Sequence, residues 1–371
     1  MTTQRSLTSA LAAHIEQAIH RAGGWIGFDH YMALALYTPG LGYYANDLRK
    51  FGTMPTSGSD FVTAPEMTPL FGQTLAAQVA QALQITHTSE VWEFGAGSGA
   101  LALQLLDALG DSLQSYTIVD LSGTLRQRQQ QTLAAHAGKV RWVSALPQAM
   151  QGVVVGNEVL DAMPVKLLVR TNGVWHERGV ACQMGRFVWQ DHPTDLRPPA
   201  PIPGPHDYLT EIHPQAEAFI RTLADKLTQG AAFFIDYGFP EREYYHPQRH
   251  MGTLMCHRGH LADTDPLVEV GLKDITAHVN FTGLALAAQE AILSQEPTQE
   301  VGTLGYTTQA RFLMNVGLLS KLEHATYSER ALALKLITEH EMGELFKVIG
   351  FYKGEPWQAL GFAQGDRTHT L

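Results

Sequence analysis

Three glycines at alternate positions, Gly95, Gly97 and Gly99, follow the apolar run Val91-Trp92-Glu93-Phe94 and lead into Ala100-Leu101-Ala102. A strand ending in such a turn lets a ligand lie against the backbone, facing the N–H groups of the next helix. In open parallel sheets this place, beyond the carboxyl end of the first strand, is where adenine cofactors bind. The spacing is Gly-x-Gly-x-Gly rather than the dinucleotide pattern Gly-x-Gly-x-x-Gly, and Glu93 stands two residues ahead of Gly95. A carboxylate there suits an ammonium group and opposes a pyrophosphate, so the motif favours S-adenosylmethionine over NAD. Asp120 ends the next apolar run, about 20 residues beyond Gly99, where a carboxylate accepts from both ribose hydroxyls. The plainer reading is a tight strand–helix turn, with Asp120 capping the helix that follows.

A second constellation is Gly156-Asn157-Glu158-Val159-Leu160-Asp161-Ala162-Met163-Pro164, after the apolar run Val153 to Val155. The carboxyl end of that strand borders the same cleft. A helical turn over residues 158–162 would point Glu158 and Asp161 the same way, at i and i+3. Two carboxylates so placed can hold a planar guanidinium in line with a transferable methyl. Alternatively Asn157 is an N-cap and the acids favour the positive end of a helix. A third stretch, Ser57 to Glu66, offers Asp60 and Thr63 as a lid over the cofactor, although Thr63, Pro65 and Glu66 also make an ordinary helix start.

His278, within Asp274 to Phe281, is a candidate acceptor-side base or donor, a structural histidine being the plainer alternative. His257 and His260, with Asp263 and Asp265 nearby, lack the ligand spacing of a metal centre, and no metal is expected.

These groups need a scaffold, and the chain from Glu90 onwards supplies one. Strand and helix patterns alternate through 91–94, 100–109, 116–119, 123–136, 140–143 and 152–155, which predicts a parallel α/β sheet. A strand at Lys166 to Arg170 continues it, and a proline-rich insertion over 171–208 interrupts it. A helix over 214–228 and the strand Ala231 to Asp236 resume it. Phe346 to Phe351 and Trp357 to Phe362 read as a C-terminal hairpin. The expected organisation is an N-terminal helix-and-loop segment (1–84) closing the cofactor site, a sheet domain (85–240 with 341–371), and a helical cap on the substrate side (241–340).

Composition narrows the function classes. With 26 basic and 36 acidic side chains the net charge is −10, which disfavours nucleic acid and an anionic membrane as partners. Two cysteines, Cys182 and Cys256, cannot build a disulfide framework, and the apolar runs are too short to span a bilayer. A bacterial cytoplasm is the simplest setting. The oligomeric state stays open, a homodimer being one option.

Taken together, the strings Asp60-Phe61-Val62-Thr63-Ala64-Pro65-Glu66, Glu93-Phe94-Gly95-Ala96-Gly97-Ser98-Gly99, Asn157-Glu158-Val159-Leu160-Asp161-Ala162-Met163-Pro164 and Ile235-Asp236-Tyr237-Gly238 carry a resemblance. The chain resembles the MidA-like S-adenosylmethionine-dependent methyltransferases, bacterial relatives of the mitochondrial complex I assembly arginine methyltransferase. The resemblance implies a Rossmann-like, class I core, a seven-stranded, mostly parallel sheet with a C-terminal antiparallel hairpin. It also implies that Glu93, Gly95, Gly97, Gly99, Asp120 and Asn157 hold S-adenosylmethionine while Asp60 and Thr63 close over it. Glu158 and Asp161 would orient an arginine of a protein substrate, with a subunit of the respiratory NADH dehydrogenase as first candidate. Ala96, Ser59 and Asn280 depart from the family's usual Pro, Gly and Asp, so no catalytic weight rests on Asn280. A small-molecule or RNA methyltransferase, a non-catalytic adenosylmethionine-binding assembly factor and a nicotinamide enzyme are the competing readings.

Overall fold

A computed structural model describes residues 2–46, 62–120, 123–293 and 300–371. The N-terminal part holds α1 (Thr2–Arg21), β1 (Trp25–Gly27), α2 (Phe28–Tyr37), α3 (Ala64–Met67) and α4 (Leu70–Ile85). Pro69 occupies the N-cap of α4, and Thr68 beside it is extended, so α3 and α4 are separate helices. Then come β2 (Glu90–Phe94), α5 (Ala100–Leu109), β3 (Ser115–Val119), α6 (Gly123–Thr132), β4 (Val140–Val143) and β5 (Met150–Asn157). The middle of the chain forms β6 (Lys166–Thr171), β7 (Val174–Gln183), β8 (Arg186–Pro193) and β9 (Tyr208–Ile212). It continues with α7 (Pro214–Lys226), β10 (Leu227–Phe239) and α8 (Glu241–Tyr244). The remainder is β11 (Met255–Arg258), β12 (Leu261–Asp263), β13 (Asp274–Thr276), β14 (Val279–Asn280), α9 (Phe281–Leu293), β15 (Val301–Thr308), α10 (Gln309–Asn315), α11 (Leu318–His324), α12 (Tyr327–Lys335) and β16 (Phe346–Lys353).

The main sheet runs β15-β16-β10-β5-β2-β3-β4, with the short β14 also on β10. From β10 to β4 the pairs are parallel, and β16 lies antiparallel between β10 and β15. Both faces are covered, which explains why its strands are continuously apolar. Val91, Val153 and Ala231 pack with α4 and α5, whereas their chain neighbours Trp92, Val154 and Ala232 pack with α7 and α9. Strand order turns between β2 and β5, and that crevice is where an open α/β sheet takes its ligand.

Three expectations change. The last strand does not fold back on Trp357–Phe362; its partners are β10 and β15, and Leu360–Phe362 is a 3₁₀ turn. Gly302 and Gly305 weaken the strand signal of residues 301–308, and the aromatic run that imitated a strand instead lays Phe362 over the paired Gly305 and Gly350. Lys166–Thr171 does not extend the main sheet either. It belongs to a second, antiparallel sheet, β1-β7-β6-β9 with β8 on β7, into which β1 of the N-terminal part is built. Within 241–340, expected as a helical cap, β15 edges the main sheet and α9 packs against α7. Among the described residues no helix is long and apolar enough to cross a membrane.

Candidate active site

A cavity of about 1560 Å³ opens at the carboxyl ends of β2, β3, β5 and β10, beneath α2 and the 253–278 segment. Pockets for one small ligand usually measure about 300–1,000 Å³, so this one has room for two reactants.

At one end lies the glycine turn. Gly95, Gly97 and Gly99 have φ of +65°, +52° and +86°, a left-handed backbone that side chains resist. A Cβ on Gly95 would stand 2.7 Å from Val159 Cγ2, so the turn after β2 is in contact with the turn after β5. Glu93 is only 2 % exposed, and the Tyr116 hydroxyl donates to its Oε2 at 2.8 Å. Burial pushes its carboxyl up to about 8, against the opposing effect of that hydrogen bond. Asp120 lines the cavity from the end of β3, and its Oδ2 accepts from Gln129 Nε2 at 2.8 Å. Thr63 is the N-cap residue of α3 and lines the cavity, but its side chain makes no capping bond, contrary to the plainer reading. Glu66, in the first turn of α3, accepts from Ser98 Oγ. Asp60 lies outside the described residues.

The turn after β5 differs from the sequence expectation. Residues 158–162 are not helical; Glu158 has a φ of +52°, and its N–H donates to Ile235 O at 2.9 Å. Neither the i, i+3 helical pair nor the Asn157 N-cap exists, because the buried Asp236 captures the backbone here. Its Oδ2 accepts from the N–H groups of Val159, Leu160 and Asp161 at 3.1, 2.9 and 3.2 Å. Asn157 Nδ2 donates to Glu158 Oε1 at 3.0 Å, while Asn157 Oδ1 is buried without a partner.

The two acids nevertheless share the cavity wall. Burial, followed by the charge of Asp161, pushes Glu158 up to about 8; burial pushes Asp161 up to about 6, opposed by the hydrogen bond it accepts from Tyr237. A third acid, Asp274, accepts from the Tyr44 hydroxyl at 2.8 Å on each oxygen. Tyr44 stacks on Tyr37 with ring centroids 5.6 Å apart, and the Tyr37 hydroxyl donates to Ala162 O at 2.8 Å. His278 also reaches the cavity, its ring edge-on to Tyr237 at 5.1 Å. Burial, aided by the positive charge of Arg249, lowers it to about 4, which leaves the ring neutral at pH 7. His257 lines the cavity as well, yet among the described residues no three His, Cys, Asp or Glu are grouped to hold a metal.

The structure therefore brings Thr63, Glu93, Gly95, Gly97, Asp120, Asn157, Glu158, Asp161 and His278 to one cavity, with Gly99 just behind it. Sequence reasoning gave no role to Asp236, Tyr237, Asp274, Tyr37, Tyr44 and Gln129. Asp236 and Tyr237 had a signal, standing at the carboxyl end of an apolar strand as Glu93 does.

The profile of the S-adenosyl-L-methionine-dependent methyltransferase family matches residues 74–298. The chain belongs to that family. Its relatives include the protein arginine methyltransferase NDUFAF7 of Danio rerio mitochondria, 27% identical, with the match covering 92% of this chain and 86% of the relative. The Homo sapiens protein of the same name is 27% identical, covering 82% and 72%. Among solved structures, a superfamily member from Burkholderia thailandensis bound to S-adenosyl-homocysteine is 49% identical. It superposes with a TM-score of 0.94 over 100% of this chain and 99% of that one. The cofactor of this methyltransferase is S-adenosylmethionine, and its site fits that molecule. The glycine turn leaves backbone bare, acids stand at the ends of β2 and β3, and the orphaned Asn157 Oδ1 awaits a donor such as an ammonium.

Proposed function

We propose that the protein transfers a methyl group from S-adenosylmethionine to an arginine of a protein substrate, with a respiratory NADH dehydrogenase subunit as the first candidate. The observation that carries this reading is the acid-and-tyrosine wall of the cavity. Glu158, Asp161 and Asp274 line it with the phenols of Tyr37, Tyr44 and Tyr237, and Val159 of the same turn abuts Gly95. Carboxylates and ring faces together suit a planar, weakly hydrated cation, which describes a guanidinium better than an ammonium. The protein arginine methyltransferases among the relatives support the same acceptor.

In this reading Glu93, Asn157 and Asp120 hold the amino-acid and ribose portions of the cofactor, the glycines accept it against the backbone, and Thr63 and Asp60 close over it. The bound cofactor supplies an electrophilic methyl on a sulfonium. Glu158 and Asp161 accept from the guanidinium N–H groups and fix its plane so that one nitrogen faces that methyl. The new N–C bond forms as the S–C bond breaks, its electron pair staying on sulfur. The surplus proton leaves the methylated nitrogen for water by way of the carboxylates, and His278, neutral, borders the acceptor.

The test is transfer from methyl-labelled S-adenosylmethionine into an extract of cells lacking the protein, followed by hydrolysis and separation of the labelled amino acids. Label in methylarginine is the expected result. Label confined to RNA, to a small molecule or to another amino acid would replace the acceptor class, and no label with intact cofactor binding would favour a docking role.

A further inference from the structure

Gln129 lies on α6, a helix otherwise rich in exposed polar residues, and it is 0 % exposed. Its amide can be oriented by chemistry alone. The Trp142 indole N–H on β4 approaches one end at 2.9 Å, and an indole nitrogen only donates, so that end is Oε1. Nε2 then necessarily faces two acceptors: Asp120 Oδ2 at 2.8 Å and the Gly97 carbonyl at 3.1 Å. Both N–H groups and the carbonyl oxygen of this amide are thus used. A second tie runs alongside, from Thr132 Oγ1 to the Ser98 carbonyl at 2.9 Å. Gln129 does not line the cavity, whereas Asp120 and Gly97 do.

We infer that Gln129 is a positioning residue for the cofactor: it holds the Asp120 carboxylate and the glycine turn in one fixed arrangement, with Trp142 fixing the amide. The inference rests on Asp120 meeting the ribose. Its physical sense is preorganisation. A carboxylate swinging freely at the end of β3 would lose rotamer freedom on binding, and the Gln129 hydrogen bond removes that cost in advance. The bond is charge-assisted and half-buried, so its loss costs more than that of a neutral, exposed one. Glutamate at 129 would keep the shape and the Trp142 bond but set its own oxygen against both Asp120 and the Gly97 carbonyl.

The experiment is isothermal titration of S-adenosylhomocysteine into the full chain carrying Gln129→Glu, Trp142→Phe, Asp120→Ala, or Asp120→Ala with each of the other two. Circular dichroism melts accompany every variant. Gln129→Glu is expected to weaken binding about tenfold and Trp142→Phe about threefold, magnitudes fitting the loss or loosening of one charge-assisted bond. On the Asp120→Ala background both losses shrink, because the group being positioned is gone. Equal fold-losses on the two backgrounds, or unchanged affinity in both single variants, overturn the inference. Should Gln129→Glu fail to fold, the Trp142→Phe pair decides it by the same criterion. If Asp120→Ala alone binds like the native protein, the ribose assignment of Asp120 fails, and with it the claim that Gln129 acts through it. The acceptor proposal is untouched by any of these results.

Discussion

The Tyr237 hydroxyl donates to Asp161 Oδ2, joining the end of β10 to the turn after β5. Next to it in the chain, Asp236 gathers three backbone N–H groups of the same turn. Two consecutive residues of one strand therefore fix both the path of the turn after β5 and the direction of its acid. Positive φ at Glu158 is a strained state for a side chain, and such a state persists where its surroundings impose it.

Removing the Tyr237 hydroxyl gives a directional prediction. A hydrogen bond to a carboxylate favours its charged form, so Tyr237→Phe raises Asp161 above its present value of about 6. If the acceptor is the proposed guanidinium, which needs an anionic partner, the acid limb of the pH–kcat/KM profile should move to higher pH, with S-adenosylhomocysteine affinity unchanged in titration. A limb that stays in place would show that Asp161 does not govern the acceptor step.

Glu158→Gln keeps the size of the side chain but leaves a neutral amide, which cannot ionise beside a guanidinium as the carboxyl, protonated in the empty site, would. Methyl incorporation should fall about 100-fold, as expected when a reacting group loses its alignment, and cofactor binding should persist. Measuring labelled methyl transfer beside calorimetric binding separates the two effects; a parallel loss of binding would move Glu158 to the cofactor side.

The buried acids also make stability depend on pH. Glu93 and Glu158 are both pushed up to about 8 in the folded chain, above the carboxylate range they return to on unfolding. Between those limits the native state binds more protons than the unfolded one, so stability falls as pH rises towards 8 and levels off above it. The Tm without cofactor should be lower at pH 9 than at pH 6 by an amount that shrinks in Glu93→Gln and in Glu158→Gln. A Tm difference insensitive to both substitutions would count against the buried, protonated state.

Much of the core was legible because its strands are buried on both faces and therefore read as plain apolar runs, as at Val153 to Val155 and Ala231 to Ile235. The glycine turn and its two acids could be read because they follow such runs directly. Glu158 and Asp161 share the cavity wall, as two acids at a strand end suggest, but on a backbone that is not the expected helical turn. Nothing local announces that Asp236, some 75 residues further on, will take the amides that a helix would have used. Gln129 was illegible for the same cause: its partners Asp120, Gly97 and Trp142 lie on three other segments.

The edge of the sheet offers a test away from the site. Gly305 on β15 and Gly350 on β16 are directly paired and bare, and the buried Phe362 lies across them. Phe362→Ala should cost about 3–5 kcal/mol in chemical denaturation, the usual range for a buried phenylalanine, because it uncovers two glycines as well as leaving a void. Gly305→Ala should also destabilise, since its Cβ would lie 2.2 Å from Phe362 Cγ. The Phe362→Ala background removes the ring atoms of that clash but keeps the Cβ of residue 362, 2.6 Å from the new methyl, so the same glycine substitution costs less there without becoming neutral, a coupling that a double-mutant cycle measures. Additive losses would mean that Phe362 does not cover the pair.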